Sequence, residues 1–179
     1  MSLLSTYRPL ATAEDVSRAA SRPLRRRLLA LFATPADPAA TVARIALGAM
    51  ILPHGMQKLF GAFGGYGFAG TMGYFTGALG IPWIFALLAI VAELFGGLGL
   101  LLGLAGRLAA FGVGTVMLVA ALLSHAQAGF FMNWGGQLPA GQEGWEFHLL
   151  AVGLALVVIL RGAGSLSADR AIARWLQPS

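Results

Sequence analysis

His54 and Lys58 occur in the run Pro53-His-Gly-Met-Gln-Lys58, inside an otherwise apolar stretch. Four residues apart on a helix, they share one face, with Gln57 beside them. Glu93 stands alone in Val-Ala-Glu93-Leu-Phe-Gly-Gly, near the middle of a second apolar stretch. His125 lies towards the end of a third, in Ser-His125-Ala-Gln, and Trp145-Glu146-Phe-His148 opens a fourth. Imidazole, ammonium and carboxylate groups in one pocket can hydrogen-bond a polar headgroup and move protons. At the centre of a bilayer each charged group costs about 2.5–3.5 kcal/mol on insertion scales, so a chain that retains several is expected to use them. His54, Glu93 and His125 are therefore candidate catalytic groups. Lys58, Glu146, Gln57 and Trp145 are candidate ligand-binding groups. Each has a plainer alternative. Lys58 can snorkel to lipid headgroups, the histidines can hydrogen-bond a neighbouring helix, and the whole set can be an ion-pair network that fixes helix packing. Glu146 and His148, two residues apart, diverge on a helix, and Glu146 is expected to face inward.

The elements that must position these groups follow from composition. The chain has 179 residues, 58% hydrophobic and 11% charged, against about 25% charged in soluble domains. So few charges cannot cover a water-facing surface, and a bilayer must cover the rest. A span needs about 20 mostly apolar residues. Four segments are expected to cross, at about 42–60, 83–104, 108–131 and 145–160, forming one all-α membrane domain over 41–162. A basic tail, 1–40, precedes it, and an amphipathic tail, 163–179, follows.

Arg8, Arg18, Arg22, Arg25, Arg26, Arg27 and Arg44 are placed ahead of the first span, Arg107 between the second and third, and Arg161, Arg170 and Arg174 after the fourth. With four spans all eleven arginines fall on one side. The positive-inside rule makes that side cytoplasmic and puts both termini there. Trp83, Trp134 and Trp145 mark the opposite interface. Pro23 and the Leu24–Leu31 segment predict a short basic helix on the membrane surface, and Ser165–Leu176 a second. The first outer loop, Gly61–Pro82, is uncharged, glycine-rich and aromatic, and is expected to lie over the bundle mouth with a short helix near Ala69–Leu79. Asn133–Gly144 reads as a polar, glycine-rich loop.

The absence of cysteine excludes disulfides, thiol catalysis and Cys-ligated metal. No cleavable signal peptide is expected, since the first apolar stretch follows an Arg-containing tail and lacks a small-residue cleavage site. No phosphate-binding glycine motif, His-Glu-x-x-His or nucleophile elbow occurs in context. His54 and His125 could in principle ligate haem, but nothing marks them as a ligand pair, so no intrinsic cofactor and no metal are expected. The basic tail adjoins apolar segments, so its partner is expected to be anionic lipid rather than nucleic acid. Gly99 and Gly103 form a small-xxx-small pair compatible with close helix packing within or between chains, so a homo-oligomer remains open.

The ordered motifs His54-Gly-Met-Gln-Lys58-Leu-Phe-Gly, Phe63-Gly-Gly, Glu93-Leu-Phe-Gly-Gly, Leu102-Gly-Leu-Ala-Gly-Arg107-Leu-Ala-Ala, His125 with Gly129-Phe-Phe, and Gly144-Trp-Glu146-Phe resemble the DoxX family over about residues 40–165. The sequence departs from that pattern at Gly106, where a Thr or Ser is expected before the arginine. The resemblance implies a four-helix protein of the bacterial inner membrane. Its relatives include a quinone-reducing thiosulfate oxidoreductase subunit and partners of detoxification or redox systems. The expectation is a redox-linked subunit that binds a quinone or similar small molecule and takes electrons from a partner protein. The alternatives are a membrane scaffold for a redox or detoxification enzyme, and a small-molecule transporter.

Overall fold

The computed structural model describes residues 32–139 and 142–175. The basic helix expected over 24–31 lies outside the described residues. Among the described residues every regular element is helical. We label them α1 Pro38–Phe60, α2 Gly67–Gly73, α3 Trp83–Leu102, α4 Gly106–Ala128, α5 Glu146–Arg161 and α6 Ala168–Trp175. α2 continues into a wide π-turn, Tyr74–Ala78, where a short helix was expected over the outer loop.

α1, α3 and α4 are long and apolar enough to cross a membrane. α5 has 16 residues, about 24 Å at 1.5 Å per residue, which is short of the ~30 Å hydrocarbon core. Its length alone therefore does not make it a span. It is nonetheless part of the bundle core, where Ala151, Ala155 and Val158 pack with Leu47 and Ile51 of α1, Leu100 of α3, and Val113 and Met117 of α4.

Small residues set the helix spacing. A Cβ added at Gly48 would stand 2.9 Å from the Gly97 carbonyl oxygen, and one at Gly55 would stand 2.5 Å from the Leu94 nitrogen. The backbones of α1 and α3 therefore touch, and no larger residue fits between them without pushing the helices apart. Pro53 lies inside α1 two residues before Gly55.

The end of the bundle where α1 begins and α5 ends is closed by buried polar bonds. Arg44, placed ahead of the first span by its charge, instead lies within α1 and is buried. Its guanidinium donates to the carbonyls of Ala163 at 2.6 Å, Leu100 at 2.7 Å, Leu101 at 2.8 Å and Leu166. Those carbonyls include two in the last turn of α3, where regular helical acceptance runs out. Arg107 does the same for α5, donating to Ile159 and Leu160. Asp37 caps α1 by accepting from Ala39 and Ala40 at 2.9 and 3.2 Å.

The tight turn from α3 to α4 runs through Gly103 and Ala105, both left-handed, with φ of 65° and 49°. Ala105 has no side chain with which to cap α4. Asp169 of α6 does so from across the chain, accepting from Ala105 N at 2.7 Å and Gly106 N at 2.8 Å. This explains the departure at Gly106. In place of a hydroxyl there, a carboxylate is delivered from α6, and Gly106 packs too closely on Ala163 for a side chain, since a Cβ would meet the Ala163 Cβ at 2.8 Å.

Candidate functional site

Glu93 sits in a π-turn of α3, Ala92–Gly96, and is 2% exposed. A π-turn inserts one extra residue into a helix and recurs at functional sites. Lys58, in the last turn of α1, reaches it with Nζ 2.6 Å from Glu93 Oε2. Gly55 makes this possible, since the backbone of α1 lies directly against Glu93 and Leu94. The ammonium neutralises a carboxylate that would otherwise be isolated in an apolar interior.

The histidines form a second group. His54 stands with its ring centroid 6.1 Å from Phe147. Phe147 lies edge-on to His148 at 5.6 Å, and His148 is 4.3 Å from His125. The run joins α1, α5 and α4. His125 belongs to another π-turn, Ala121–His125. Its Nδ1 lies 2.7 Å from the Glu143 carbonyl. A carbonyl only accepts, so Nδ1 carries the proton and donates. Lys58 is within electrostatic reach of His54, and so links the ion pair to the ring run.

The remaining candidates serve the rim. Gln57 donates from Nε2 to the Phe63 carbonyl at 3.5 Å, towards the first outer loop. Glu146, expected inward, instead accepts from the Met132 backbone at 3.1 Å. The backbone of Gly144, Trp145 and Glu146 donates to Phe131, Gly129 and Phe130, fastening the second outer loop to the start of α5. Gly144 has to be glycine there, because a Cβ would meet three carbonyl oxygens at 2.5–2.6 Å. Trp145 packs edge-on against Phe130 at 4.8 Å. With Glu146 turned to the loop, His148 is the buried member of the pair. The expectation that five ionisable groups meet in one pocket thus resolves into an ion pair, a three-helix ring run, and a rim in which Glu146 is a fastener.

Sequence reasoning named His148 without choosing it, and did not foresee Arg44 or Asp169 as buried groups. The signal for Arg44 was present, since a lone arginine three residues inside an apolar stretch has to find acceptors.

This geometry sits in a recognised sequence context. Residues 39–126 match the DoxX family model. That stretch belongs to the DoxX family. The match covers α1 to α4 and ends before α5, so Gly144-Trp-Glu146-Phe lies beyond it. No curated protein and no solved structure matches the chain. As a DoxX protein with three long apolar helices, it is a multi-pass membrane protein. Among the described residues no group of three metal-ligating side chains converges.

Proposed function

We propose that this DoxX protein is a redox-linked subunit of the bacterial inner membrane that binds a quinone or a similar small molecule near its outer face. In this reading α5 crosses as a fourth span and both termini are cytoplasmic. Arg161 at its end can snorkel, and local bilayer thinning accommodates the rest of the mismatch. The observation that carries the proposal is the Lys58–Glu93 pair, its carboxylate buried, with His54 beside Lys58 at the head of a ring run from three helices. Such an arrangement offers a hydrogen-bond donor to a carbonyl oxygen, and a carboxylate–imidazole route for the proton that accompanies each electron. His54 or His125 would contact the ligand, with Lys58, Gln57 and Trp145 around it. The chain has no cysteine to hold an iron–sulfur cluster, and the electrons are assigned to a partner protein.

The test is binding of a short-chain quinone analogue to the purified protein in lipid nanodiscs. Wild type should bind, and Glu93→Gln and His54→Ala should each weaken binding about ten-fold, the loss of one charge-assisted hydrogen bond. Absence of binding, or variants that bind as wild type does, sinks the reading.

A second reading is a scaffold for a redox or detoxification enzyme. It draws on Lys58 and Glu93 being already paired with each other, which leaves neither obliged to meet a ligand.

A further inference from the structure

A cavity of about 260 Å³ opens between α4 and α5, lined by Leu118, Leu122, Ala126, Trp145, His148 and Leu149. Leu118, Leu122 and Leu149 are among the exposed apolar side chains of the bundle. In a membrane-spanning chain such a mouth faces acyl chains, not water. The lining is apolar except for the Trp145 indole N–H and the His148 imidazole.

His148 is 7% exposed, and its buried Nδ1 has no hydrogen-bond partner. Leaving such an atom unpaired costs about 1–3 kcal/mol, and in a native fold it calls for a reason. His125, the nearest polar neighbour, does not supply one. Its Nδ1–H is committed to the Glu143 carbonyl. With both rings neutral, the three ring nitrogens that remain share a single proton. Acceptors therefore outnumber donors at this pair. The tautomer of His148 sets whether Nδ1 accepts or donates, and a hydroxyl group meets either need because it both donates and accepts. The cavity is smaller than the ~300–1,000 Å³ of drug-sized sites, so it takes one substituted ring or a short head, with an apolar tail left in the bilayer.

We propose that the α4–α5 cavity is a lipid-side binding site for a hydroxyl-headed lipophile, with His148 as the residue that hydrogen-bonds the head. The proposal rests on the small-molecule reading above and narrows it. It places the ligand at His148, which was not among the candidate site residues, gives it entry from the lipid phase, and selects the hydroxyl form of the head.

The experiment uses the full chain in nanodiscs, with Trp83, Trp134 and Trp175 replaced by Phe so that Trp145 alone reports, and follows its fluorescence with three probes: a decyl hydroquinone kept reduced, its dimethyl ether, and the matching quinone. The hydroquinone should bind about ten-fold more tightly than the ether, as one hydrogen bond to a buried acceptor is worth. His148→Leu should erase that difference. Ala121 also lines the cavity, and Ala121→Phe, which fills the space with a ring, should weaken the hydroquinone about ten-fold, the scale of one lost hydrogen bond, while the melting temperature stays within a few degrees of wild type. A decyl phenol separates two sources of the same chemistry. Affinity equal to the hydroquinone assigns the site to hydroxyl lipids in general, weaker affinity to a redox carrier, and either result requires the hydroxyl preference to hold. Equal affinity for the ether, or indifference to Ala121→Phe in a folded protein, overturns the proposal. If the quinone alone binds, with sensitivity to Glu93→Gln and none to Ala121→Phe, this inference fails and the reading above stands. If no probe binds, both fail.

Discussion

At the scale of single residues, Lys58 and Glu93 decide how the site is understood. A buried ion pair is weak support for stability as such, because desolvation offsets most of the Coulombic gain. Removing one partner is a different matter. Lys58→Met leaves the 2%-exposed Glu93 alone in the interior, and Glu93→Leu strands the ammonium. Lys58→Met is expected to cost about 3–5 kcal/mol, Glu93→Leu less because the Lys58 side chain is 24% exposed, and the double change much less than the sum, since an apolar pair refills the space without uncompensated charge. Thermal unfolding of the four proteins in detergent micelles measures this. A double variant that is as stable as wild type but no longer binds a quinone analogue marks the pair as functional. One that also keeps binding moves the weight to the scaffold reading. Additive losses would show that the two groups do not act as a pair at all. Glu93 was legible in the sequence, because a carboxylate in the middle of an apolar run has few other uses. The choice between Glu146 and His148 was not. It depends on the backbone N–H of Met132, which accompanies Glu146 only once the second outer loop has folded back.

At the scale of elements, the α3–α4 turn shows what local reading misses. α4 begins at Gly106 with no capping side chain of its own, and the cap comes from Asp169, more than sixty residues later. No spacing rule connects the two. Asp169→Asn keeps one acceptor but turns an NH2 towards a backbone N–H, so a loss of about 1–3 kcal/mol is expected. Burial pushes the Asp169 carboxyl above its ordinary value of 3.8, against the pull of hydrogen bonds from Gly106 and Ala105 and the charges of Arg44 and Arg107. A folded-state pKa above the unfolded one means that the folded protein holds the proton more tightly. Stability from this group is therefore full below 3.8 and declines as pH rises through the raised folded value. Asp169→Asn lacks that titration, so the wild-type margin over it should narrow with rising pH across that window. Melting curves of both proteins over a pH series check the sign, and a margin that widens contradicts it. The π-turns at Ala92–Gly96 and Ala121–His125 were equally hidden. Each adds a residue to its turn, so counting faces at a constant angle past them drifts by one position. Helix existence and approximate ends were legible because apolar length alone sets them.

At the scale of the whole molecule, the open matter is parity, meaning whether the chain crosses the membrane an odd or an even number of times. α1, α3 and α4 account for three crossings, which would separate the chain before α1 from the loop after α4. α5 decides where α6 lies. Two observations favour its crossing. Its small face is buried in the core with all three long helices, which a helix lying on the surface could not manage. And α6 returns to the same end as the start of α1, where Asp169 meets the α3–α4 turn, Arg44 bonds the Leu166 carbonyl, and Gly164 N donates to Thr34 Oγ1 at 2.8 Å. With α5 across, Arg44, Arg107, Arg161, Arg170 and Arg174, the arginines among the described residues, stand on one side, as the positive-inside rule requires. The native chain has no cysteine, so single cysteines report topology without background. Gln137→Cys, in the loop after α4, should react with a membrane-impermeant maleimide in cells whose inner membrane is intact. Ala173→Cys, on α6, should react only after that membrane is opened. Labelling of both from the same side would leave α5 uncrossed and would remove the basis for placing the His125–His148 pair near the outer face. Opposite labelling fixes the pair, the ion pair and the α4–α5 cavity in the outer half, within reach of molecules carried by the outer leaflet.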